Sequence, residues 1–171
     1  KLEIAPTLLG GLFKITGNQA PFIAFNGIKG KVEYDMLESQ RFQAKHQLND
    51  FVFNTHFPVN TVTIMRGLIA ARELAVESQY IDVVMAAMWE NNQKMDDPQV
   101  VAEVWRAGGL DAERLIAMIQ TDAIKDLLKD HTQRAADRGA FGIPTFFVGD
   151  DMFFGKERLG QVEEALLNTT A

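Results

Sequence analysis

Ile143-Pro144 and, a short way downstream, Phe154-Gly155-Lys156-Glu157 are the residues whose types and order could do chemistry. If the bond before Pro144 is cis, Ile143 turns its N–H and C=O outward, where they can pair with an extended ligand as a sheet edge pairs with a peptide. An ordinary trans proline in a helix-to-strand loop is the plain alternative. Gly155 lets a ligand approach the backbone closely, and the N–H groups that open the segment after it can hold a carboxylate. The plain alternative there is a simple helix start, with Glu157 favouring the dipole. Lys31 can hold an anion by point charge, although Lys29 offers a rival register and a solvated lysine would look the same. Asn18 is either a polar contact or a turn asparagine. Asn60 is either a substrate contact or a helix cap, and Trp89 either walls a pocket for an aromatic molecule or fills the core.

What is missing narrows the chemistry further. The sequence contains no cysteine, so a thiol–disulfide exchange run on the chain's own thiolate is excluded, as are cysteine-based zinc sites. The three histidines, His46, His56 and His131, are scattered without ligand-like spacing, so no metal site is expected. With 171 residues, 47% hydrophobic and 23% charged, the chain is sized for one core, or one core with an inserted lobe. A formal charge of −6 and the lack of any basic run argue against a nucleic-acid partner. No apolar stretch reaches membrane-spanning length and no signal-peptide pattern opens the chain, so a soluble, cytoplasmic protein without a membrane partner is expected.

The elements that must position these residues read as follows. Lys1–Pro6 is expected to be a short strand, and Thr7–Thr16 a short helix with Gly10-Gly11 as a soft spot, broken at Gly17. Lys31–Leu48 carries Val32, Met36, Leu37 and Phe42 on one face and predicts a helix. The segment Phe51–Pro58 reads as extended before a proline. Helices are then expected over Thr61–Val76, capped by Asn60 and facing inward with Val62, Met65, Leu68 and Ile69, and over Ser78–Gln93, with Ile81, Val84, Met85, Met88 and Trp89. Asp97-Pro98 opens another, Gly108-Gly109 closes it, Asp111 caps the next, and Asp122–Arg138 is the last long one. Thr145–Val148 and Met152–Phe154 predict two strands joined by the hairpin Gly149-Asp150-Asp151, followed by an amphipathic segment Arg158–Leu167. The helical run 31–138 therefore reads as an insertion between residues 1–30 and 139–171, the two halves of a sheet domain.

The run Gly139–Leu159, GAFGIPTFFVGDDMFFGKERL, resembles the C-terminal half of a thioredoxin fold. More narrowly, it is similar to the 2-hydroxychromene-2-carboxylate isomerases and kappa-class glutathione transferases of the DsbA-like group. Pro6–Asn18 (PTLLGGLFKITGN) and His56–Thr61 (HFPVNT) match motifs of the same family. The resemblance implies an α/β protein: a thioredoxin-like fold with a large all-helical insertion. It implies glutathione as the source of the thiol that the chain lacks, held by Ile143, Pro144, Phe154, Gly155, Lys156 and Glu157. Lys156 stands where an Asn or Ser is more usual and Glu157 where an Asp is, so their side-chain roles depart from the pattern. A small aromatic substrate would meet Lys31, Asn18, Asn60 and Trp89, and a homodimer is compatible with the family. The implied reaction is thiolate addition to a conjugated oxo-acid, rotation about the resulting single bond and expulsion of the thiol. A kappa-like transferase or a non-catalytic binding protein are the alternatives. In the family a strand and helix precede the segment matching Pro6–Asn18, and the turn between them holds the active-site Ser. Nothing in this sequence matches that unit, so the serine is expected upstream of Lys1.

Overall fold

The computed structural model describes residues 2–169. The chain forms two compact units, Lys1–Gln19 with Lys129–Ala171, and Ala20–Leu128.

In the first unit α1 (Leu9–Thr16) ends at Gly17, whose φ of 72° turns the chain sharply out of the helix. Its start is fixed to α8 (Asp122–Asp137), because the Leu8 N–H donates to the buried Thr132 hydroxyl at 3.0 Å. α8 closes at Gly139, where the Ala140 and Gly139 N–H groups return to the carbonyls of Ala135 and Ala136. Then come β1 (Thr145–Val148) and β2 (Asp151–Phe154), an antiparallel hairpin in the register Thr145 to Phe154 and Val148 to Asp151. Gly149, at φ 59°, supplies the left-handed residue of its turn. Arg138 braces the hairpin, lying 3.8 Å from the centroid of the Phe147 ring and donating to the Gly149 carbonyl. A 3-10 turn (Lys156–Arg158) leads into α9 (Leu159–Thr169).

The expected strand at Lys1–Pro6 does not form over the described residues 2–6; Lys1 lies outside them. A strand is defined by its ladder, and the sheet of the described residues consists of β1 and β2 alone. Alternating side chains at residues 2–6 cannot supply that partner.

The second unit contains α2 (Pro21–Ala24), α3 (Lys31–Lys45), α4 (Val62–Glu73), α5 (Glu77–Trp89), α6 (Pro98–Ala107) and α7 (Ala112–Ile119), with no strand among its described residues. Its core is Ile64, Leu68, Ile69, Val84, Met88, Val101, Trp105 and Leu115, around Tyr80. The Tyr80 hydroxyl donates to the Ile64 carbonyl at 2.8 Å, and burial pushes its ionisation well above the usual phenol range. Gly67 makes this crossing possible, since a Cβ there would stand 2.1 Å from the Tyr80 oxygen. Asp97 and Asp111 cap α6 and α7 by accepting from the Gln99 and Arg114 N–H groups.

Two apolar faces read from the sequence are only partly covered. No residue of α3 is buried: Val32 and Phe42 are half-buried, while Met36 and Leu37 are exposed. In α5 the inward positions are Tyr80, Val84, Ala87 and Met88, and Met85 points to solvent. Periodicity marks a face, whereas burial needs an element to cover it.

Candidate functional site

The Ile143-Pro144 peptide bond is cis, the first of the two alternatives that the sequence leaves open. Around it, three of four successive carbonyls are already used. The Phe141 carbonyl accepts from Asn18 Nδ2 at 2.7 Å, the Gly142 carbonyl from the Thr145 hydroxyl at 2.7 Å, and the Pro144 carbonyl from the Gly155 N–H at 2.9 Å. Ile143 differs: its N–H and C=O have no hydrogen-bond partner among the described residues, and its side chain is 47% exposed. A backbone donor and acceptor left open on one residue, just ahead of a strand, have the hydrogen-bonding capacity to pair with an extended peptide.

Phe154 and Gly155 complete the first unit's site. The Phe154 ring packs against Phe141, with centroids 4.6 Å apart, and covers Gly142, where a Cβ would stand 2.8 Å from the ring. Gly155 has φ 95° and ψ 154°, a conformation that side-chain-bearing residues avoid. A Cβ on it would also stand 2.9 Å from Glu157 Oε2, so the carboxylate folds back over the glycine. Glu157 forms an ion pair with the neighbouring Lys156 ammonium. That hydrogen bond, ahead of partial burial acting the other way, holds its carboxyl below the usual range. The small stability linked to this pair is therefore present above the ordinary carboxylate pKa and lost as pH falls through the depressed one. A Gly155→Ala change, on the sequence alone a test of ligand approach with little cost to the fold, must strain the backbone as well.

Asn18 lies in this same unit. Its Nδ2 reaches the Phe141 carbonyl, and its Oδ1 accepts from the Gln19 N–H at 2.8 Å.

The remaining sequence candidates belong to the second unit. Lys31, at the start of α3, pairs with Asp35 one turn on and lies 4.9 Å from the centroid of Phe25. Asn60 Oδ1 accepts from the Val62 N–H at 3.1 Å, so it turns the chain into α4, although Thr61 is the residue bordering the helix. Trp89 is half-buried and lies against Phe51 and Phe53, at centroid distances of 5.7 and 6.4 Å. Phe53 in turn meets Phe57, which meets Phe22.

Other residues of consequence are not evident from the sequence. Asn54 is fully buried and pins the 51–58 segment, donating to the Met88 and Gln93 carbonyls and accepting from the His56 N–H. An asparagine inside the aromatic run FVFNTHFP is the one signal that could have marked it. The extended reading of that segment misses a second cis bond, Phe57-Pro58. Gly142 and the Thr145 hydroxyl matter through contacts that only the folded loop creates. Among the described residues no cluster of His, Cys, Asp and Glu could hold a metal, and no helix is long and apolar enough to cross a membrane.

The chain is similar to known proteins in sequence and fold. The model of the DSBA-like thioredoxin domain matches residues 1–167. A 2-hydroxychromene-2-carboxylate isomerase from Pseudomonas sp. (strain C18) is 29% identical over 80% of this chain and 63% of its own length. Glutathione S-transferase kappa 1 from Rattus norvegicus is 28% identical over 93% of this chain and 74% of its own. A solved structure of a 2-hydroxychromene-2-carboxylate isomerase superposes with a TM-score of 0.77 at 26% identity, covering 95% of this chain and 77% of that one. These relatives are enzymes, and the chain spans under two thirds of the Pseudomonas isomerase. The two-stranded hairpin and helical insertion described above are thus parts of a DsbA-like thioredoxin fold, and the chain belongs to the DSBA-like thioredoxin domain family.

Proposed function

We propose that this chain is part of a cytoplasmic, glutathione-dependent isomerase acting on an aromatic oxo-acid such as 2-hydroxychromene-2-carboxylate. The observation that carries the reading is the open N–H and C=O of Ile143, one residue before the Pro144 carbonyl that the Gly155 N–H holds. Glutathione is a peptide, and its cysteinyl backbone fits that donor–acceptor pair as a strand fits a sheet edge. Pro144 and Phe154 would flank it, and Gly155 would admit its γ-glutamyl end to the backbone before α9. Glu157, kept ionised by Lys156, offers an acceptor for the γ-glutamyl ammonium once Lys156 gives way. When bound, glutathione supplies the thiolate that adds to the conjugated acid and leaves after bond rotation. Lys31 would hold the substrate carboxylate, with Asn60 and the Trp89 ring contributing to its site, and the serine that donates to the sulfur is proposed to lie upstream of Lys1. A homodimer is the proposed assembly, as an extension of the family likeness alone.

A kappa-like transferase is the second reading, supported by the likeness to the rat enzyme over 93% of this chain. The test is calorimetric titration with reduced glutathione, followed by product analysis with 2-hydroxychromene-2-carboxylate. Saturable binding with an isomerised acid and full recovery of thiol is expected. A stable thioether would replace isomerase with transferase. A flat titration would remove glutathione and leave a DsbA-like binding protein.

A further inference from the structure

We propose that Asn26 is a site of spontaneous deamidation, where the Gly27 backbone nitrogen attacks the Asn26 side-chain amide and the residue ages to aspartate and isoaspartate. The proposal goes beyond the glutathione reading above and does not depend on it.

Asn26-Gly27 is the one Asn-Gly pair in the sequence, and it lies between α2 and α3. The Ile28 N–H donates to the Phe25 carbonyl at 3.0 Å, closing a turn with Asn26 and Gly27 at its two central positions. Both residues are exposed, so water reaches the turn. Among the described residues neither the Gly27 N–H nor the Asn26 side chain has a hydrogen-bond partner, so nucleophile and electrophile are both uncommitted. Glycine puts no Cβ beside the attacking nitrogen, and the space around Gly27 is open. The other asparagines each lack a condition. The amides of Asn18, Asn54 and Asn92 are engaged at both ends, as are Oδ1 of Asn60 and Nδ2 of Asn91 at one. Asn49 and Asn168 are exposed but are followed by Asp50 and Thr169, not by glycine.

The step balances with water alone. Base takes the Gly27 N–H proton, and the nitrogen bonds to Asn26 Cγ. The Cγ–Nδ2 bond breaks and ammonia leaves, which closes a succinimide ring. Water then opens the ring at either carbonyl. Breaking the bond from the Gly27 nitrogen to Cγ gives aspartate, and breaking its bond to the Asn26 backbone carbonyl carbon gives isoaspartate. The formal charge of −6 becomes one unit more negative, since the new carboxylate is ionised at pH 7. The isoaspartyl form carries an extra methylene in the main chain between the Phe25 carbonyl and the Ile28 N–H, so the bond that closes the turn is lost.

The test is incubation of the purified full chain at mildly alkaline pH, followed by mass mapping of its tryptic peptide Ile15–Lys29, which holds both Asn18 and Asn26. Fragmentation is expected to place the change from NH2 to OH on Asn26 and to leave Asn18 intact, with a succinimide intermediate lighter by one ammonia. A synthetic peptide of residues 15–29 gives the rate without the fold, and the folded chain should convert within about tenfold of it. Gly27→Ala puts a Cβ into open space at a φ outside the left-handed region, so its thermal melt should match the wild type. Its conversion should nevertheless slow by about tenfold or more, the effect of a barrier raised by about 1.4 kcal/mol when the Cβ crowds the attacking nitrogen. Asn26→Gln keeps the amide but requires a larger ring, and should show no conversion over the same incubation. Change at Asn18 or Asn49 ahead of Asn26, or equal rates in wild type and Gly27→Ala, would overturn the proposal. A folded chain that ages more than about tenfold slower than the peptide would overturn it too, because the turn would then protect Asn26.

Discussion

Two loops of this molecule enter a cis proline, and they treat the N–H of the residue before it in opposite ways. At 51–58 the Phe57 N–H turns inward to the Asn54 carbonyl at 3.1 Å, and Asn54 itself is fully buried. At 141–144 the Ile143 N–H and C=O stay open, and the tie is Asn18 at the surface. One loop uses the N–H before its proline in its own fold; the other leaves that N–H open along with the carbonyl of the same residue. The difference lies in hydrogen bonding: one loop is closed at the N–H before its proline, and the other is open there.

The comparison breaks most visibly at Asn54. Asn54→Ala leaves the Met88 and Gln93 carbonyls and the His56 N–H without their buried partner, so a loss of about 3 kcal/mol is expected in urea unfolding. Asn18→Ala, on an exposed tie, should cost about 1 kcal/mol or less by the same measurement. Equal losses at the two sites would remove the distinction.

Gly142→Ala comes next. Its Cβ would stand 2.8 Å from the Phe154 ring, which must swing away from Phe141. A stability loss of about 1–3 kcal/mol is expected, together with weaker glutathione binding. Gly155→Ala should lose about 1–3 kcal/mol from its positive-φ extended backbone alone. Thermal melts beside glutathione titrations check both, and a Gly155→Ala variant with an unshifted melt would mean that the loop relaxes to a different conformation.

How much of this was legible varies with how local the physics is. The hairpin was readable because β-branched and aromatic runs around Gly149 need only their neighbours to form it. Asp97, Asp111, Gly109 and Gly139 mark helix ends for the same reason. The likeness of GIPTFFVGD to a known family marked Ile143 and Pro144, but the tie from Asn18 joins positions 123 apart and has no local trace. The roles of Asn54 and Gly142 also depend on distant groups, namely the Gln93 carbonyl and the Phe154 ring. Residues 2–6 show the converse: a strand-like pattern whose ladder could not be read from its own side chains.

Helix ends supply the smallest and cleanest form of the same contrast. α6 closes with the Leu110 N–H on the Trp105 carbonyl and the Gly109 N–H on that of Arg106, with Gly109 at φ 75°. α4 closes identically, with the Val76 N–H on Ala71 and the Ala75 N–H on Arg72, yet the left-handed residue is Ala75 at φ 59°. The glycine announces its turn in the sequence and the alanine does not, which is why the expected helix ran on to Val76. A left-handed alanine costs about 1–2 kcal/mol relative to its favoured region, while a glycine there loses about 0.4–1 kcal/mol more chain entropy on folding. Ala75→Gly is therefore expected to stabilise by roughly 0.5 kcal/mol, a rise of one or two degrees in Tm for a chain of this size. Gly109→Ala should destabilise by a similar amount or slightly more, because its Cβ would also press on Gln79 Nε2 at 3.3 Å. Paired thermal melts decide it, and destabilisation by Ala75→Gly would mean that the alanine methyl makes contacts worth more than the strain its backbone carries.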